Sequence, residues 1–102
     1  MRGLVILSAA LSAACLAERG PFTNRMAHSG TSYLARAARQ PVNWQPWGRD
    51  AFALAARLDR PVLLYVGNDA CRWCLETDRV IYTDPEIASL INGLFVPVRV
   101  DR

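Results

Sequence analysis

The chain has 102 residues, 52% of them apolar, and a formal charge of +3. That length allows one domain at most, and that apolar share excludes a disordered chain. All twelve basic residues are arginine and none cluster into a basic block, which excludes a nucleic-acid-binding surface. Phosphate-loop chemistry is excluded too, because no G-x-x-x-x-G-K stretch occurs.

The N-terminus reads as an address. Arg2 precedes an apolar stretch, Leu4 to Leu11, and then Ser12-Ala13-Ala14-Cys15. A basic start, a short apolar run and small residues form a secretory signal over residues 1–17. The run is too short to span a bilayer, which takes about 20 residues. Ser12 to Cys15 also resembles a bacterial lipoprotein cleavage box, making Cys15 a lipidation candidate and giving a membrane attachment. Simple cleavage near Ala14 or Ala17 is the alternative. Either outcome implies a bacterial exported domain, periplasmic or membrane-anchored.

Residues 18–32, with Gly20-Pro21 and Ser29-Gly30, read as a linker or irregular arm. The domain proper is expected over 33–102. Tyr33 to Arg39 forms a short helix capped by Thr31 or Ser32, with Pro41 beyond its end. Val42-Asn43-Trp44 is a short strand candidate, and Pro46-Trp47-Gly48 a turn. From Asp50 to Leu58, apolar residues recur at Ala51, Leu54, Ala55 and Leu58, the spacing of an amphipathic helix that Pro61 stops. Val62 to Val66 is apolar throughout, as in a strand covered on both faces. A second helix begins near Cys71 and carries Trp73, Thr77 and Val80 or Ile81 inward. A third has Asp84 as cap, Pro85 at its first position and Gly93 as its stop. Phe95 to Val100 is the last strand, with Pro97 removing one backbone donor. Strands alternating with helices imply an α/β fold with a parallel sheet.

Cys71-Arg72-Trp73-Cys74 carries the chemistry. Two cysteines three apart at the start of a helix bring their sulfurs together without rearranging the backbone. Unpaired N–H groups at the helix start favour an anion at Cys71, and thiolate is the nucleophilic form. Cys74, one turn deeper, is then the resolving thiol. Arg72, Trp73 and Asp69 are the tuning residues. Arg72 adds positive charge, while Asp69 either opposes it or caps the helix. A structural disulfide is the competing reading, although so small a loop restricts the unfolded chain little. A zinc half-site would need Cys15 and His28 as further ligands. His28 reads as a solvent-facing loop residue, and Trp44, Trp47 and Trp73 as core and rim packing rather than a substrate platform.

From Asn24 onward the chain resembles the N-terminal thioredoxin-like domain of the spermatogenesis-associated, YyaL-like protein family. The matching stretches are Asn24-Arg25-Met26-Ala27, Tyr33-Leu34, Pro41-Val42-Asn43-Trp44, Pro46-Trp47-Gly48 with Ala51-Phe52, Arg60-Pro61, Cys71-x-Trp73-Cys74 and Val100-Asp101-Arg102. The resemblance implies a thioredoxin-like three-layer fold and thiol-disulfide oxidoreductase activity on protein thiols and disulfides, with no cofactor. The family usually reads Cys-His-Trp-Cys-His, so Arg72 and Leu75 stand in place of two histidines. A complete thioredoxin fold continues past Arg102 with a cis-proline loop, further strands and a final helix. The expectation is therefore a fold incomplete at its C-terminus: a truncated reading frame, or a chain whose open sheet edge along Val62–Val66 is covered by a partner chain. The competing function is a non-catalytic interaction module on the same fold.

Overall fold

The structure is a computed structural model and describes residues 21–102. Helix α1 (Ser32–Arg36) runs into a 3₁₀ turn, Ala37–Arg39. Thr31 caps α1, its hydroxyl accepting from the Leu34 N–H at 3.3 Å. Helix α2 (Arg49–Leu58) buries Ala51, Leu54 and Ala55, three of the four residues of the apolar stripe. It ends at Asp59, before Pro61, in the left-handed conformation with φ 53°. There the Arg60 N–H closes back on the Ala55 carbonyl at 3.0 Å. Strand β1 (Val62–Gly67) follows directly.

Helix α3 (Arg72–Thr77) continues into a π turn, Asp78–Tyr82. Helix α4 (Pro85–Leu94) is capped by Asp84, whose carboxylate accepts from the Glu86 and Ile87 N–H groups. It runs past Gly93, the expected stop, because that glycine takes up ordinary helical backbone on an exposed turn. Strand β2 (Val96–Asp101) pairs in parallel with β1, Val62 against Val96 through Gly67 against Asp101.

The chain thus forms a small open parallel sheet in a partial thioredoxin-like α/β fold. Val62 and Leu63 point to opposite faces of β1, and two apolar clusters follow from that alternation. On one face Val62 and Val96 meet Leu54, Ala55 and Leu58 of α2, with Phe22. On the other, Leu63 and Tyr65 meet Trp44, Tyr82, Ile87 and Ile91. Helices therefore cover both faces of the sheet, giving three layers. Trp44 is fully buried, with Tyr65 stacked at 5.8 Å and Tyr82 edge-on at 4.9 Å. A buried aromatic of this size contributes about 1.5–3 kcal/mol from area alone.

Val42-Asn43-Trp44 does not form the expected strand. The Trp44 N–H bonds back to the Val42 carbonyl, and the Trp44 carbonyl accepts from the Arg25 N–H. With those groups engaged, the only ladder contact here is at Gln45, which bridges Val98. The Gln45 N–H donates to the Pro97 carbonyl at 2.8 Å, and the Arg99 N–H donates to the Gln45 carbonyl at 3.1 Å. Backbone N–H groups alternate sides along a strand, and Val96 donates instead to Pro61 on the β1 side. The N–H that Pro97 lacks would thus face away from β1, so proline costs that pairing nothing.

Residues 21–31 contain neither helix nor strand, yet they are part of the packed domain. Met26 is fully buried, Phe22 nearly so. The Asn24 amide ties this segment down, donating to the carbonyls of Ala37, Gln40 and Val42 at 2.8, 3.3 and 2.9 Å. Its oxygen accepts from the Met26 N–H at 2.9 Å.

Coverage of β1 is less complete than an all-apolar strand implies. Packing from α2 reaches Val62, while Leu64 and Val66 on the same face stay 48% and 47% exposed. Among the described residues β1 pairs on one side alone, with β2.

Candidate functional site

Cys71 and Cys74 form a disulfide, their Cα atoms 5.1 Å apart. Strand β1 ends at Gly67, and Asn68 opens the turn that follows. Its side-chain oxygen accepts from the Ala70 N–H at 2.9 Å, and its carbonyl accepts from the Cys71 N–H at 3.3 Å. That turn sets Cys71 in extended backbone as the N-cap of α3. Its Sγ accepts from the Cys74 N–H at 3.1 Å, the place a serine or aspartate oxygen takes in an ordinary cap.

The two sulfurs differ in access. Cys71 is partly exposed, whereas Cys74 is buried on the inner face of α3. Trp73 does not turn inward as expected; it projects into solvent at 79% exposure, as do Val80 and Ile81 to lesser degrees. The buried stripe is one residue later: Cys74, then Asp78 and Tyr82 at least half covered. Asp78 is drawn inward by a charge that sequence reasoning missed.

That charge is Arg99. Its side chain is fully buried on the face of β2 beside Tyr65. It donates Nη1 to Asp78 Oδ1 at 2.7 Å and Nη2 to Asp78 Oδ2 at 2.8 Å, a two-point pairing. Its guanidinium lies 4.0 Å from the ring centre of Tyr33, with Trp44 and Tyr65 farther off. Burial disfavours the charge, but the Asp78 hydrogen bonds and attraction outweigh it and raise the Arg99 pKa. The signal in the sequence was an arginine inside the alternating run Val96-Pro97-Val98-Arg99-Val100, with Asp78 among the apolar and aromatic residues of the segment after Cys74.

Asp69 does not cap α3, whose N-cap is Cys71. It accepts from Ser32 Oγ at 2.5 Å and pairs with Arg36 at 2.9 Å, tying the turn to α1. Arg72 is exposed at the first turn of α3. Leu75 is 44% exposed. His28 and Trp47 lie at the surface, Trp47 edge-on against Phe52 at 5.1 Å, and only Trp44 of the three tryptophans is core. Cys15 and the expected signal segment lie outside the described residues.

Beneath the disulfide, Gly67 allows a close approach that no other residue would. A Cβ there would collide with Tyr33 Oη and would stand 2.9 Å from Cys74 Sγ. The Tyr33 hydroxyl is buried without a hydrogen-bond partner, and the Tyr65 hydroxyl donates to the Cys74 carbonyl at 3.4 Å. Burial pushes the Tyr33 pKa well up, partly offset by Arg99 and reinforced by Tyr65 and Asp78.

The chain is similar to the human "Spermatogenesis-associated protein 20", at 39% identity over 79 residues. The match covers 78% of this chain and 10% of that protein. A nematode protein, "Uncharacterized protein B0495.5" of Caenorhabditis elegans, is 33% identical over 81 residues, 79% of this chain and 11% of its own. The mouse counterpart of the human protein is 38% identical over 79 residues. The chain therefore spans about a tenth of the length of the curated relatives it matches. These relatives, with a further one from rat, are animal proteins, which argues against the bacterial exported location expected from residues 1–17. That expectation, periplasmic or membrane-anchored, is corrected accordingly. Residues 23–102 match the model of the Thioredox_DsbH family, described as "Protein of unknown function, DUF255", and the chain belongs to that family as a thioredoxin-like domain.

Proposed function

We propose that the domain is a thiol-disulfide oxidoreductase acting on protein thiols and disulfides through Cys71 and Cys74. The observation that carries this reading is the asymmetry of the pair. Cys71 is accessible and is the N-cap of α3, with a backbone donor 3.1 Å from its Sγ; Cys74 is buried one turn deeper. A donor already aimed at Sγ, at the positive end of a helix, stabilises thiolate there.

In the reducing direction, Cys71 thiolate attacks a substrate disulfide. A Cys71–substrate disulfide forms and the first substrate sulfur leaves as thiolate. Cys74 thiolate then attacks Cys71 Sγ, closing the internal disulfide and releasing the second substrate thiolate. Two electrons pass from the cysteine pair to the substrate. Arg72, exposed, adds a solvent-screened positive charge beside the attacking sulfur. Trp73, exposed on the turn between the two cysteines, offers an apolar side chain to the substrate chain.

Insulin-disulfide reduction tests the reading. Cys71→Ser abolishes it, while Cys74→Ser accumulates a mixed disulfide with substrate. Variants indistinguishable from the parent refute the enzyme reading and leave a non-catalytic module. We further propose that the edge of β1 left unpaired among the described residues takes a partner strand, supported by exposed Leu64 and Val66 on the adjoining face. Hydrogen exchange that finds the outward amides of β1 already protected in a monomer of this chain would refute that.

A further inference from the structure

We propose that Tyr33 donates a hydrogen bond from its hydroxyl to Cys74 Sγ when the disulfide opens, stabilising the sulfur that leaves. This rests on the redox reading of Cys71 and Cys74 above, and extends it to a residue on another helix.

Three observations converge. Tyr33 is fully buried and its hydroxyl makes no hydrogen bond of good geometry in the oxidised protein; the neighbouring Tyr65 hydroxyl interacts with it but gives its own proton to the Cys74 carbonyl. Buried polar groups in native proteins are almost always paired, so an orphan calls for an explanation. The hydroxyl and Cys74 Sγ crowd the same point above Gly67, where a single added carbon would touch both. Finally, Arg99 holds the residue at two points. The Arg99 guanidinium lies 4.0 Å over it, and the Tyr33 carbonyl accepts from Arg99 Nη2 at 3.4 Å.

The partner is missing because of the oxidation state. A disulfide sulfur is neutral and a weak acceptor; a thiolate is a strong one. In the oxidising direction a substrate thiolate attacks Cys71 Sγ, forming a substrate–Cys71 bond. The electron pair of the broken bond goes to Cys74 Sγ, which becomes thiolate beside the Tyr33 hydroxyl. The proton stays on Tyr33 oxygen. The charged and titratable groups facing Tyr33 are Arg99, Tyr65 and Asp78, and with burial their net effect keeps the phenol protonated. It is a donor throughout the working range of pH. Lower basicity of a leaving thiolate speeds its departure, so the same bond accelerates opening.

The test titrates Cys74 as a lone thiol, in the full chain carrying Cys15→Ser and Cys71→Ser, with and without Tyr33→Phe. A hydrogen bond to a charged group is lost, so the Cys74 pKa rises by about one unit, a tenfold change. An unchanged pKa in a natively folded variant overturns the proposal. Independently of any substitution at Tyr33, reducing the parent shifts the Tyr33 ring-carbon resonance next to the hydroxyl; a resonance that does not move overturns it as well. A parent that fails to reduce insulin, with the Cys74 shift intact, refutes the oxidoreductase reading instead. An active parent with an unmoved Cys74 pKa refutes the Tyr33 assignment alone.

Discussion

Removing the carboxylate of Asp78 strands a buried cation. Arg99 has no exposed side-chain surface and Asp78 is 14% exposed, so neither charge is well hydrated. Asp78→Ala breaks both charge-assisted hydrogen bonds, at 2.7 and 2.8 Å. The guanidinium keeps the aromatic rings and one long bond to the Tyr33 carbonyl at 3.4 Å, which do not neutralise it. Breaking a buried pair by removing one partner costs about 3–5 kcal/mol. A domain of this size is stable by about 5–15 kcal/mol in total, so the loss is a large fraction of it. In urea unfolding with a slope of about 1–3 kcal/mol/M, the midpoint falls by about 2 M. Removing both charges together, Asp78→Leu with Arg99→Met, leaves no stranded ion and recovers more than half of the loss. A single-variant loss below about 1 kcal/mol, or a double variant no better than the single, refutes the reasoning.

Tyr33→Phe removes an orphaned hydroxyl and leaves the ring under Arg99, so the oxidised protein gains about 1 kcal/mol in thermal or urea unfolding. Alkaline stability checks the same residue from another side. Tyr33 and Tyr82 have raised pKa values when folded, so their contribution is intact below the ordinary phenol pKa of 10.0 and is lost as pH rises beyond it and the unfolded chain ionises. Urea midpoints fall steeply above that pH, and less steeply in Tyr33→Phe. Asn24→Ala leaves the Gln40 carbonyl and the Met26 N–H without the Asn24 partner, while the Ala37 and Val42 carbonyls keep the Gln40 and Trp44 N–H donors; it costs about 1–3 kcal/mol and loosens residues 21–31 to proteolysis ahead of global unfolding. Gly67→Ala drives a carbon into Tyr33 Oη and toward Cys74 Sγ, an overpacking that lowers stability in urea unfolding by about 1–3 kcal/mol.

Local rules made much of the fold legible. Thr31 and Asp84 cap their helices, the Ala51-Leu54-Ala55 stripe faces the sheet, and Val62 and Val96 open parallel strands. The caps, the stripe and each strand by itself depend on residues close in sequence. Where pairing crosses the chain, the sequence was opaque. Trp73, Thr77 and Ile81 look like the inner stripe of α3 because two of them are large and apolar. The true stripe contains an aspartate, and only Arg99, 21 residues on, makes that burial tolerable. Asn24 looked like part of an arm because its amide partners lie 13 to 18 residues away. The Cys71–Cys74 pair and its helix start were legible from spacing. The setting beneath it, Tyr33 and Gly67, was not, since a lone tyrosine and a glycine carry no pattern.

The reduction potential of the Cys71–Cys74 pair, equilibrated in glutathione buffers, tests the central claim most directly. An oxidoreductase pair is predicted to lie between about −270 and −120 mV, where protein dithiols and disulfides exchange in both directions. A value below about −300 mV marks a structural bridge and contradicts the account.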